Sequence, residues 1–277
     1  MKSIDDANVS FLDFPILDFP NPSLGKPEAI ADLSTWELLE CALSSDLDAT
    51  RIIYVWGPPG CGKTYGAFHF GRIENGFYAV TLTDETSAAE LRGHFLFRGG
   101  DAVWHDGPFV RAMREGKRLV INEIGNANAD VLALLFPILE SLKTAEITLP
   151  SGETIRPATG FHVVATDNRP PDQLPEALDD RFGVYVRVSE PHPNAIAQLH
   201  PQLRELALAS ASIEDERRVS ARGWLALQSL IPTFGLETGC RLAFGPDRGP
   251  LVYETIVMAL RGKITKKSKR TKARGEV

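Results

Sequence analysis

Apolar positions along this chain alternate between short strand-like runs and stretches of helical period. From about residue 29, "AIADLSTWELLECAL" places apolar residues at helical spacing, "RIIYVW" is a short β-branched run, "KTYGAFHFGRI" is helical, and "FYAVTLT" returns to a strand. Further strand-like runs follow in "RLVINEI", "FHVVAT" and "GVYVRV", with helices predicted over "ADVLALLFPILESLK" and "PEALDDRF". Apolar strands alternating with helices predict an α/β fold whose parallel sheet is covered on both faces. Within it, "EITLPSGETIRP" reads as a β-hairpin about Pro150-Ser151-Gly152, an insertion projecting from the core.

After "GVYVRVSEPHP" the strand pattern stops. "NAIAQLHPQLRELALA", "SARGWLALQSL" and "GPLVYETIVMALRG" have helical period, so an α/β domain over residues 29–190 is expected to be followed by a small helical domain over 191–260. The start is different again: Leu-Asp-Phe-Pro occurs at residues 12–15 and 17–20, and four prolines fall within residues 15–27. Proline fixes φ and removes a donor, so residues 1–28 are expected to form an extended arm. Its phenylalanines are expected to pack on the chain's own large domain, with a neighbouring subunit as the alternative.

Composition narrows the class. With 277 residues and 43% hydrophobic content, one large domain and a smaller companion are expected. No uncharged apolar stretch reaches membrane-spanning length, and four aspartates in the first twenty residues fit no signal peptide, so the expectation is a cytoplasmic protein without a membrane partner. Three scattered cysteines, Cys41, Cys61 and Cys240, suggest neither a disulfide framework nor a zinc site. The six histidines lie in different predicted elements without metal-ligand spacing.

Chemistry enters at "WGPPGCGKT". Gly57 to Thr64 fits G-x-x-x-x-G-K-[ST] between a predicted strand and a predicted helix, the context that a phosphate-binding loop requires. The stretch Gly57, Pro58, Pro59, Gly60, Cys61, Gly62, Lys63, Thr64 and Tyr65 is therefore expected to hold the phosphates of ATP. Backbone amides turn toward the phosphate oxygens, Lys63 reaches the outer phosphates, and the Thr64 hydroxyl serves Mg²⁺. No N-K-x-D follows, which argues against the guanine recognition of small GTPases.

Such a loop needs an acid from a second strand, and "RLVINEI" ends in Asn122 and Glu123. Glu123 is expected to polarise the attacking water. Asn122 stands on the metal side, where a carboxylate is usual, so weaker Mg²⁺ binding and slower turnover are expected.

With these residues assembled, the chain resembles the AAA+ ATPases, and within them the MoxR-like branch with its relatives of the NorQ, CbbQ and gas-vesicle GvpN kind. The similarity runs from Gly57 to about Leu230 through "GPPGCGKT", "WHDGPFVRAMREGKRLVINEIGNANADVLALLFPILE", "ITLPSGETIRP", "FHVVATDNRPP", "LPEALDDRF" and "VSARGWLAL". It implies a P-loop NTPase sheet sandwiched by helices with an all-helical C-terminal lid. It also implies that Asn168 is the sensor beside the outer phosphate, that Arg181 enters the neighbouring subunit's site, and that Arg222 is the lid's sensor arginine. The bland alternative for Arg181 is a surface ion pair with Asp179 or Asp180.

"ELRGHFLFRGGDAVWHDGPF" resembles the helix-2 insertion of this branch. With the hairpin at 146–156 it would face a ring's central pore, with Phe95, Phe97 and Trp104 as client contacts or as the insertion's own small core. The resemblance further implies a homo-oligomer, a hexameric ring, acting on a client protein, with von Willebrand A-domain proteins as one partner class.

Residues 261–277 hold eight of the 30 Lys and Arg but only one of the 36 Asp and Glu. A flexible basic tail on an acidic body is expected, with nucleic acid as an alternative partner and a nucleic-acid motor as the alternative function.

Overall fold

In the computed structural model, which describes residues 33–211 and 219–273, the first β-branched run forms β1 (Ile52–Trp56). It joins β2 (Phe77–Thr81), β5 (Arg118–Asn122), β8 (His162–Asp167) and β9 (Val184–Arg187) in a five-stranded sheet of order β2-β5-β8-β1-β9. Every pairing is parallel. The strands therefore end along one edge, and β8 separates β1 from β5.

Strand alternation divides the core in two. Ile52, Tyr54, Leu119, Ile121, Val163 and Ala165 face one side, where they meet helix α4 (Pro108–Glu115) through Phe109 and Met113 and helix α5 (Ala129–Leu135) through Val131 and Leu135. Ile53, Val55, Val120 and Val164 face the other, against helix α1 (Thr35–Ser44) through Trp36, Leu39 and Leu43 and helix α2 (Lys63–His69) through Ala67. Each fully buried large side chain contributes roughly 1.5–3 kcal/mol, so both layers are needed to hold the sheet.

Helix boundaries follow local chemistry. Asn128 caps α5 by accepting from the Val131 amide at 3.0 Å. The helix expected to run through "FPILESLK" stops at Leu135, because Pro137 has no N–H to continue the ladder. Gly116 closes α4 at φ 61°, where a Cβ would lie 2.1 Å from the Thr159 carbonyl.

The insertion after helix α3 (Ala88–Arg92) is an antiparallel hairpin of β3 (Gly93–Arg98) and β4 (Asp101–Asp106). Trp104 packs against the core and stands edge-to-face with Phe95, whereas Phe97 is 82% exposed. The expected second hairpin forms as β6 (Ile147–Thr148) with β7 (Thr154–Ile155).

The short helix α6 (Glu176–Asp179) precedes β9, and beyond β9 the described chain is helical: α7 (Pro193–Ala197), α8 (Pro201–Ala211) and α9 (Ala221–Ala273). The single helical run expected over "NAIAQLHPQLRELALA" is broken before Pro201, which again lacks a donor. Gly235 and Gly245 leave helical geometry at φ 73° and 83°, dividing α9 into pieces over 221–234, 236–244 and 246–273. Leu199, Leu203, Trp224, Leu227, Cys240 and Ile256 make a third apolar cluster among these helices. Residues from Thr35 onward nevertheless form one compact unit. The segment expected to be a flexible basic tail continues α9 as backbone helix to Ala273, in keeping with the good helix propensity of lysine and arginine. The arm expected at residues 1–28 lies outside the described residues, as do residues 274–277.

Candidate nucleotide-binding site

The loop between β1 and α2 turns on three positive-φ glycines, Gly57 (143°), Gly60 (74°) and Gly62 (108°). Two of them are also crowded. A Cβ on Gly57 would lie 2.0 Å from the Val188 carbonyl, and one on Gly60 would lie 2.4 Å from the Ser220 Cβ. The segment after β9 and the residue before α9 thus close over the loop. Ser220 also caps α9 by accepting from the Gly223 amide at 3.2 Å. The exposed Arg222 follows two residues after Ser220, in the first turn of α9.

Lys63 is 8% exposed, and its ammonium donates to the carbonyls of Gly57 (2.8 Å) and Pro58 (3.0 Å) and to Asn168 Oδ1 (2.8 Å). Asn168 in turn points Nδ2 at Glu123 Oε1, 3.5 Å away. Three residues expected at the site therefore meet across the ends of β1, β8 and β5. Cys61 is buried with its thiol 3.7 Å from the Ser189 carbonyl, the packing of a small residue rather than of an accessible nucleophile. Tyr65 stacks on His69 with ring centroids 4.2 Å apart.

Asn122 is engaged at both the oxygen and the nitrogen of its side-chain amide. Its Oδ1 accepts from the hydroxyls of Thr64 and Thr166, each at 2.9 Å, while its Nδ2 donates to the Val80 carbonyl at 3.2 Å. The Val80 carbonyl can only accept, which sets the orientation of the amide. Thr64 retains a hydroxyl oxygen suited to a hard cation, but the Asn122 oxygen is uncharged and already holds two donors. The donor set thus fits magnesium through Thr64 and fits it poorly through Asn122.

Arg181 lies elsewhere. It pairs with Glu140, not with Asp179 or Asp180, and its guanidinium stands over the Phe136 ring. With Ile52, Asp48 and Gly183 it lines a hollow of about 400 Å³ at the start of β1. The phosphate loop follows the other end of that strand, about 16 Å away at the usual rise per residue. Arg181 does not reach the phosphate loop of this chain.

Several residues at the site had no signal of their own in the sequence. Trp36 and His192 flank Gly62, with ring centroids 4.8 Å apart, and the His192 amide donates to the Cys61 carbonyl. Burial, and then His69, pull the His192 imidazole below its ordinary range, so the ring stays neutral and its Nδ1 accepts from the Asn194 amide. Thr166 and Asp167 are the buried polar end of β8, a signal visible only as two polar residues closing an apolar run. His94 and His105, in separate strands, face each other across the β3–β4 register. No group of three or more histidine, cysteine or acidic residues that could hold a metal occurs among the described residues.

Comparison with known proteins agrees with this geometry. The family model of the AAA domain (dynein-related subfamily) matches residues 32–182, more than half of the chain. NorQ of Paracoccus denitrificans is 38% identical over 132 residues, which are 47% of this chain and 47% of that protein. The denitrification regulatory protein NirQ of Stutzerimonas stutzeri is 33% identical over 117 residues, 42% of each. The chain thus spans a little under half the length of each of these relatives. An uncharacterized protein of Staphylococcus haemolyticus is 31% identical over 190 residues, 63% of this chain and 71% of that one. With a phosphate loop, a neighbouring acid and a parallel sheet in the arrangement such proteins share, the chain belongs to the dynein-related subfamily of AAA domains, in the MoxR-like company of NorQ and NirQ.

Proposed function

We propose that this chain binds and hydrolyses ATP as one subunit of a homo-oligomeric ring, a hexamer, and couples that cycle to remodelling a partner protein. The observation that carries the reading is the linked set Lys63, Asn168 and Glu123, which joins the phosphate loop to the acid strand through the end of β8. Gly57 to Tyr65 would hold the triphosphate, whose anhydride bond is the one cleaved, and Thr64 would hold Mg²⁺. Glu123 takes the proton of the attacking water, Asn168 orients that water, and Lys63 with Arg222 offsets developing negative charge. The distance of Arg181 from its own phosphate loop supports a role in the adjoining subunit's site, for which it must leave Glu140.

The helices after residue 190 are assigned as a lid, supported by their own apolar cluster and by the contact of Ser220 with Gly60. A protein partner is supported by the kinship with a denitrification regulatory protein and by the exposed Phe97 on the β3–β4 hairpin. A von Willebrand A-domain protein remains the partner class to try first.

One observation favours a second reading, an ATP-gated assembly with slow turnover. Asn122 lacks the charge of a carboxylate, and its amide is bonded on both sides. Steady-state phosphate release from ATP with Mg²⁺, measured across protein concentrations for the native chain, Lys63→Ala and Arg181→Ala, separates the two. Turnover that rises with concentration and is lost in both variants supports the ring ATPase. ATP binding that depends on Lys63, without turnover, supports the assembly, and Asn122→Asp should then raise hydrolysis at least tenfold even though a carboxylate cannot donate to Val80.

A further inference from the structure

Glu123 has φ 55°, the one positive value outside glycine among the described residues. A left-handed residue with a Cβ costs roughly 1–2 kcal/mol, so neighbouring structure must hold it there. The restraint comes from β8. Asp167, 2% exposed, accepts from the Gly125 amide through Oδ2 at 2.6 Å and from the Arg169 amide through Oδ1 at 2.9 Å. Arg169 donates Nη2 to Asn126 Oδ1 at 2.7 Å, and its carbonyl accepts from the Tyr54 hydroxyl at 2.8 Å. Burial and then Asp167 push the Tyr54 hydroxyl up, which keeps it a donor. The fit is tight: a Cβ at Gly125 would lie 2.0 Å from Arg169 Nη1 and 2.8 Å from Asp167 Oδ2.

These bonds seize Gly125 and Asn126, the second and third residues after Glu123, and tie them to the end of β8, beside Asn168. The Asn126 amide closes the turn onto the Glu123 carbonyl at 3.0 Å. We infer that Asp167 and Arg169 are positioning residues that clip the Glu123 turn to β8 and so set the carboxylate opposite Asn168. Neither contacts Glu123's carboxylate in the structure, and neither is assigned a contact with nucleotide. The inference rests on the reading of Glu123 as the hydrolytic carboxylate.

An amide at position 167 could accept one of the two backbone N–H groups but would present its own N–H to the other, so Asp167→Asn loosens the turn with little change of volume. The test compares the native chain, Glu123→Gln, Asp167→Asn and the double variant in single-turnover phosphate release, with binding read from a fluorescent ATP analogue. Asp167→Asn is expected to slow hydrolysis about 30-fold, the scale of a small misplacement, with the Kd of the analogue changed less than about twofold. Added to Glu123→Gln it should change the rate less than about twofold, since the clip acts through a group already removed. Amide exchange should quicken at Gly125 and Asn126 and stay slow in the β8 interior.

If Asp167→Asn hydrolyses at the native rate while Glu123→Gln is slow, the clip is overturned and the reading of Glu123 stands. If the two losses multiply in the double variant, a general structural role replaces the clip. If Glu123→Gln itself is undiminished, the reading of the site falls and the inference with it. Should Asp167→Asn fail to fold, Arg169→Ala removes only the Asn126 arm and is expected to slow hydrolysis about fivefold, equivalent to one ordinary hydrogen bond; native activity in that variant would also overturn the clip.

Discussion

β5 and β8 have polar residues at both ends, and the two ends employ them for different purposes. At the C-terminal edge, Asn122, Asp167 and Asn168 bond to side chains and a turn amide that belong to the phosphate loop and the Glu123 turn, and Thr166 donates to Asn122. At the N-terminal edge, Arg118 is 1% exposed and donates to the carbonyls of Ala67 in the last turn of α2 and of Phe70 and Arg72 just beyond it, and to His162 Nε2 at 2.5 Å. One guanidinium thereby satisfies backbone acceptors left over where α2 ends, at the negative end of its dipole. Burial pulls it down to about 10, which leaves it charged at neutral pH. Buried charge is thus present at both edges, and the partner decides its meaning: turns that hold reactive groups at one, a helix terminus at the other.

The comparison breaks most clearly at Lys63. Lys63→Ala should weaken ATP hydrolysis about a thousandfold, the upper range for one lost charge-stabilising donor, as measured by phosphate release. Arg118→Met should do the reverse, lowering unfolding free energy by about 3 kcal/mol because three carbonyls and an imidazole nitrogen lose their donor. Denaturant titration measures that loss, and nucleotide affinity in the still-folded protein should stay within about twofold.

A pH series sharpens the distinction. Burial pulls His162 down to about 4 from 6.5, with the nearby Arg118 and Arg51 acting in the same direction, while Nδ1 faces the Gly160 carbonyl. The unfolded chain then binds the proton first as pH falls, so the stabilisation is present above 6.5 and is lost progressively toward 4. Between pH 7.5 and 5 the native chain should lose about 2 kcal/mol more than His162→Gln, which keeps an acceptor for Arg118 without titrating. Equal losses would show that His162 does not set this slope. The smallest effect belongs to Phe97→Ser. At 82% exposure its removal should leave the unfolding midpoint equivalent to within about 0.5 kcal/mol, as thermal unfolding would show.

Legibility followed the range of the interactions. β1 and the phosphate loop were readable because a β-branched run and a glycine spacing are local properties. The length of α5 was overestimated because its apolar period continues past Pro137, and the His94–His105 pairing was hidden because it depends on register across a hairpin. Asp167 looked like the polar end of a strand. Its partner Gly125, and Asn126, the partner of the neighbouring Arg169, are about forty residues away, and neither spacing nor composition links them.

By itself, then, the sequence determined the alternation of strands and helices, the phosphate loop from Gly57 to Thr64, and the candidates Asn122 and Glu123, because hydrophobic period and turn chemistry act over a few residues, whereas Asn168 entered through the family resemblance. Only the tertiary structure decided that β8 stands between β1 and β5, that Asn122 has no free acceptor, and that a carboxylate at the end of β8 and a guanidinium just beyond it hold the left-handed turn at Glu123. Those outcomes depend on which strands pair and how closely their ends approach. They are set by burying both faces of the sheet at once, a requirement that no short stretch of the chain expresses.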